Sequence, residues 1–151
     1  MASNILTVAD VIATRITSGL DGGDTTTVSR IYNAPTNIDT VSGRKVYVFP
    51  VGYSNSPANR AEDSQVYVIH VTILERYTTA GDPTNAWLDA RVDFVSEHVV
   101  ERCDFVRELL TFETTRRLYT ISSEVTVYDI DYLTTNKLFL SDVRFEFGEY
   151  R

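Results

Sequence analysis

The sequence predicts an α+β fold: a mostly antiparallel sheet of about four to six strands, packed by an N-terminal helix and one long central helix. Three observations predict it. Residues 65–77 (QVYVIHVTILERY) read as one long strand that is apolar on both faces through its centre. Val8, Val11, Ile12, Ile16 and Leu20 repeat at helical spacing near the start of the chain. Leu88, Val92, Val95, Val99, Cys103, Val106 and Leu110, three or four residues apart, give the clearest periodic signal in it.

The elements follow in order. The first helix is expected over residues 8–20, with Thr7 as N-cap and Asp10 three residues on. Gly19 and the turn DGGD at 21–24 end it. A β-branched strand is expected over 25–32, and 34–43 reads as a loop. Residues 45–51 (KVYVFPV) form the next strand, with Pro50 marking an edge or a bulge because it lacks a ladder donor. The polar run 52–64 (GYSNSPANRAEDS) reads as a long loop.

The 65–77 strand has one face of Val66, Val68, His70, Thr72 and Leu74, and another of Tyr67, Ile69, Val71 and Ile73. With both faces apolar, both are expected to be covered, one of them by another copy if the chain itself cannot. The second helix opens at 82–85 (DPTN), with Pro83 in its first turn, and the helix is expected to span about 39 Å at about 1.5 Å per residue. Strands are expected over 124–133 and 138–147. In the second of these, Val143, Phe145 and Phe147 alternate with Asp142, Arg144 and Glu146.

Length and composition bound the function. At 151 residues, 43% hydrophobic and 23% charged, the chain reads as a single domain, 1–151, able to bury a sizeable core. No apolar run approaches the roughly 20 residues that span a bilayer, so no membrane partner is expected. The start, MASNILTVAD, lacks the basic and apolar segments of a signal peptide. A single cysteine excludes an internal disulfide framework. A net charge of −7 argues against gripping phosphates, since such binding depends on Lys and Arg. Lys45 and Lys137 are the only lysines among the 14 basic residues; arginine suits bidentate contacts at interfaces.

No constellation for chemistry emerges, and neither a catalytic residue, a cofactor nor a metal ligand is expected. His70 and His98 stand alone, outside HxxxH or HExxH patterns. Cys103 falls in the apolar stripe, as a small hydrophobe would. No GxSxG, GxGxxG or phosphate-loop motif occurs. Two patterns point to contacts instead. Asp89, Asp93, Glu97 and Glu101 succeed one another at four-residue intervals, a costly like-charge stripe unless it faces solvent, DNA that it repels, or a neighbour's arginines. Tyr32, Tyr47, Tyr53, Tyr67, Tyr77, Tyr128 and Tyr132 fall on strands or their ends, where tyrosine serves sheets and interfaces alike.

The order of elements resembles the tail terminator (tail completion) proteins of tailed bacteriophages. The resemblance runs through TVADVIATRITSGL, KVYVFPVG, the loop arginine Arg60 before QVYVIHVTILERY, the helix NAWLDARVDFVSEHVVERCDFVRELL and the closing VRFEF. Residues 111–135 have no counterpart in it. The resemblance implies a non-enzymatic virion protein that forms a homo-oligomeric ring, commonly a hexamer. It would be assembled in the host cytoplasm and sit at the head-proximal end of the tail. There it would cap the tail-tube protein and meet head-connector or neck proteins, with DNA passing through unbound. Another neck or tail component, a connector adaptor or a tail-tube protein, stands beside this reading; a small ligand-binding domain or enzyme stands further off. Arg60, Asp89, Asp93, Glu97, Glu101, Arg116, Arg117 and Arg144 are the candidate interface residues.

Overall fold

The computed structural model describes residues 4–32, 43–59 and 62–150. In chain order its elements are α1 (Asn4–Ser18), β1 (Thr27–Arg30), β2 (Lys45–Asn59), β3 (Glu62–Arg76) and α2 (Asn85–Phe94). A π-helical stretch (Val95–Val100) continues α2. Then come β4 (Leu110–Phe112), β5 (Arg116–Thr126), α3 (Ile130–Asn136) and β6 (Leu138–Tyr150). The strands form one six-stranded sheet in the order β1-β2-β3-β6-β5-β4. Only β1 and β2 pair in parallel; every other neighbouring pair is antiparallel.

The strand predicted over 65–77 is β3, flanked by β2 and β6 at the centre of the sheet. Tyr67, Ile69, Val71 and Ile73 are sealed on one face. They pack with Val46 and Val48 of β2, Val143, Phe145 and Phe147 of β6, and Val8, Ile12, Ile16, Val95 and Val99 from the helices. Burying each such side chain contributes about 1.5–3 kcal/mol. The other face receives far less cover. Leu74 and Leu138 make a small second cluster with Tyr47, Tyr132 and Leu140 at one end. Tyr119 lies across Gly148, where a Cβ would come within 2.1 Å of its ring. Val66, Val68, His70 and Thr72 remain half-exposed, so the chain itself supplies full cover for one face only.

Several boundaries differ from expectation. α1 begins at Asn4, so Thr7 lies inside the helix and does not cap it. Thr84, not Pro83, opens α2: its hydroxyl accepts from the Trp87 amide at 3.2 Å. The central helix is shorter than its stripe. Leu88, Val92, Val95, Val99 and Cys103 face the core, but Val106 is 68% exposed and Leu110 belongs to β4. Thr120, far along the chain on β5, ends the helix. Its hydroxyl donates to the Cys103 carbonyl at 2.7 Å and accepts from the Phe105 amide at 2.9 Å. That satisfies groups the helix would otherwise leave orphaned.

Most of the run 52–64, expected to be a loop, is strand: β2 continues to Asn59 and β3 starts at Glu62, with 60 and 61 outside the described residues. The expected bulge at Pro50 is present, as a register shift between Pro50 and Gly52. The strand expected over 124–133 is displaced. β5 ends at Thr126, and α3 follows, with Asp129 accepting from the amides of Asp131 and Tyr132 as N-cap. The expected loop 34–43 falls almost wholly outside the described residues.

The C-terminal ends of α1 and the central helix are clasped together. Arg15 Nε donates to the Arg102 carbonyl and Arg102 Nε to the Arg15 carbonyl, each at 3.1 Å. Cations placed on helix C-termini are favoured by the orphan carbonyls there. Gly19 leaves the room: a Cβ at that position would stand 2.5 Å from Arg102 Nε.

Candidate assembly interface

Among the described residues, the sheet is unfinished along both outer edges. β1 covers β2 only from Lys45 to Val48. Beyond it, residues 49–59 of β2 present an outer edge with no described strand beside it. β4 covers β5 only from Arg116 to Leu118, leaving the outer edge of residues 120–126 open. The β2–β3 hairpin also overruns β6, whose pairing with β3 starts at Val66. A backbone edge with unpaired donors and acceptors is a template for another strand.

Both open edges carry exposed apolar side chains. On β2 these are Val51 and Tyr53; on β5 and the turn after it they are Ile121, Val125, Val127 and Tyr128. The signal in the sequence for the β5 edge was the β-branched and aromatic run RRLYTISSEVT, which falls in the stretch without a counterpart in the resemblance.

The structure separates the candidate interface residues. Asp89, Asp93, Glu97 and Glu101 are all exposed along the outer side of α2 and its π-helical continuation. Arg60 lies outside the described residues. Arg116 is committed within the chain: it pairs with the buried Glu149 and with Glu113, and stacks on Phe112 with 4.5 Å to the ring centroid. Burial opposes its charge, and the bonds to Glu149 and Glu113 outweigh burial and raise its pKa. Arg144 pairs with Glu146 at 3.0 Å on the bare face of the sheet. Arg117 is exposed on β5. The stripe and these arginines are not brought together within one chain.

The groups on which chemistry could draw are used structurally. Burial pushes the Cys103 thiol up to about 12, against a smaller opposite effect of Arg15 and Arg102. Burial first, then the bond to Glu149, pushes the Tyr67 hydroxyl up to about 12. That hydroxyl donates to Glu149 Oε2 at 2.9 Å. His98 packs on Phe94, with ring centroids 5.0 Å apart. His70 Nδ1 stands 3.6 Å from Asp142. Glu75, 8% exposed, is held by Arg44 at 2.8 Å and by Arg91; these two arginines stack on Phe94 and Trp87. Among the described residues, no group of three or more His, Cys, Asp or Glu is placed to hold a metal ion. No described helix is long and apolar enough to cross a membrane.

No protein family and no curated protein sequence matches this chain. Among solved structures, it is similar to the sheath/tube terminator of an extracellular contractile injection system, PVC, in its extended state. The two share 12% identity with a TM-score of 0.42 over 97% of this chain. The chain spans 57% of that terminator's length.

Proposed function

We propose that this chain is a structural subunit of a tailed phage particle, a tail terminator that acts by assembly and not by catalysis. In this reading it closes into a hexameric ring on the finished tube, meets the tube protein on one side and head-connector or neck proteins on the other, and lets DNA pass unbound. The observation that carries the reading is the unfinished sheet. Among the described residues a dense core lies on one side of the sheet, two backbone edges stay open, and the other face leaves Val66 and Val68 half-exposed beside Asp142, Arg144 and Glu146, which suits a subunit built to be completed by neighbours. The order of helix, hairpin, helix and closing strand supports the terminator type in particular. The exposed stripe Asp89, Asp93, Glu97 and Glu101 fits a surface that DNA does not stick to, since like charges repel.

Cryo-imaging of particles carrying a tagged copy of the chain tests the reading. The expected result is a ring at the head-proximal end of the tail. Density repeating along the tube, or confined to the head side of the neck, would replace the terminator reading with a tail-tube or connector-adaptor role.

A further inference from the structure

We propose that neighbouring subunits join edge to edge: β5 of one copy pairs with β2 of the next, so that one sheet runs on from subunit to subunit. The inference rests on the self-assembly required by the reading above, but not on where in a particle the assembly sits.

The register of the sheet carries the argument. Thr120 stands level with Phe147, Tyr67 and, on β2, Tyr53. Thr126 stands level with Asp142, Thr72 and Tyr47. The open stretch of β5, residues 120–126, is therefore at the same height as residues 47–53 of β2, most of which lie beyond the reach of β1. β4 sits at one corner of the sheet and β1 at the diagonally opposite corner, each covering only the N-terminal end of its neighbour. Each short strand so frames a gap without filling it. The successive antiparallel pairs β2–β3, β3–β6 and β6–β5 make β2 and β5 run in opposite directions. A second copy placed beside the first thus offers an antiparallel strand at the matching height.

Three consequences follow. The two edges differ, so the contact is heterologous, with each subunit using two distinct patches. Because the open stretches match in height, successive copies need no shift along the strands, so little rise accumulates per subunit and a ring results when the rotation between copies closes. In this register Val51 and Tyr53 would meet Ile121 across the junction, removing from water exposed apolar groups that the fold leaves there, while Val125 stands level with Val48, which β1 already covers. Pro50 withholds one donor at the margin of the patch. Neither open stretch, 49–54 or 120–126, carries a lysine or arginine, the residues that commonly guard an edge against pairing.

The test uses two full-length variants, Tyr53→Lys on the β2 edge and Ile121→Lys on the β5 edge, with Ser123→Lys as a second β5 variant should Ile121→Lys lower the melting temperature. Both edges are exposed, so the fold is expected to persist. Native mass measurement of the wild type should show a closed oligomer, and each variant alone should lose it and run as a monomer. An equal mixture should stop at a heterodimer, because the first variant keeps an intact β5 edge and the second an intact β2 edge. Variants that assemble like the wild type, a mixture without heterodimer, or a wild type that stays monomeric at millimolar concentration would each overturn the proposal. The two readings fail separately. A ring found elsewhere in the particle removes the terminator role and leaves edge pairing intact, whereas edge variants that still build a normal head-proximal ring do the reverse.

Discussion

On the helix side of β3, Tyr67, Ile69, Val71 and Ile73 are sealed beneath α1 and the central helix, whereas on the other side Val66, Val68, His70 and Thr72 stay half-exposed. The two faces differ both in residue type and in cover: the sealed face is apolar throughout, and the other sets His70 and Thr72 beside Arg144 and Asp142 of β6. The helix side receives two helices whose C-termini are clasped by Arg15 and Arg102. The bare side receives only α3 at one end and the ring of Tyr119 at the other. The same imbalance recurs in the backbone, where the centre of the sheet is paired on both sides and the long flanks of β2 and β5 are not.

The comparison can be broken most severely from the helix side. Val99 is fully buried, so Val99→Asp places a charge with no counter-ion in the core and should cost about 4 kcal/mol or more. Thermal unfolding checks it; an unchanged melting temperature would remove the central helix from the core. A smaller effect should come from pH. The Tyr67 hydroxyl is pushed up to about 12 by burial and by Glu149. A group raised in the fold gives stability that is complete below its unfolded pKa and is lost as pH climbs through the folded value. Between about pH 10 and 12 the wild type should therefore lose on the order of 2 kcal/mol through this residue. Cys103 adds to the loss in the same direction. Urea midpoints across that window should fall less steeply for Tyr67→Phe than for the wild type. The smallest effect sharpens the contrast directly: Val71→Thr on the sealed face should cost about 1–3 kcal/mol by burying a hydroxyl. Val68→Thr, three residues away on the other face, should stay within about 0.5 kcal/mol. Equal losses at the two positions would mean that both faces are closed within the single chain.

What could be read from the sequence follows the same division. Where a segment buries one or both faces, its hydrophobic period reports it: the central strand, the β6 alternation of Val143, Phe145 and Phe147, and the Ile12 and Ile16 stripe of α1 all stand where the pattern puts them. Where backbone pairing occurs without burial, the period is silent. The described ends of β2 beyond Ser54 and of β3 before Val66 run past the pairing with β6, and there backbone pairing makes strands where no hydrophobic period marks them. Residues 121–126 of β5 are exposed on both faces, so no hydrophobic period marks the sheet that holds them and only their β-branched content does. The overlong central helix has another cause. Val106 and Leu110 continue the spacing by coincidence, while the helix is ended by Thr120, a partner that no local pattern contains. For the interface, the acidic stripe was legible as exposed charge, but the commitment of Arg116 to a buried Glu149 depends on two strands meeting. The open edges could be recognised only once the short reach of β1 and β4 was known.

Hydrogen exchange on the assembled protein, compared with the monomeric Tyr53→Lys variant, tests the central claim most directly. Amides on the outer edge of β5 over residues 120–126 should exchange freely in the monomer and become protected in the assembly, together with those of β2 over 49–54. Amides of β3 over 66–74, already paired on both sides, should be protected in both states. Assembly that leaves residues 120–126 exchanging as fast as in the monomer would contradict the account.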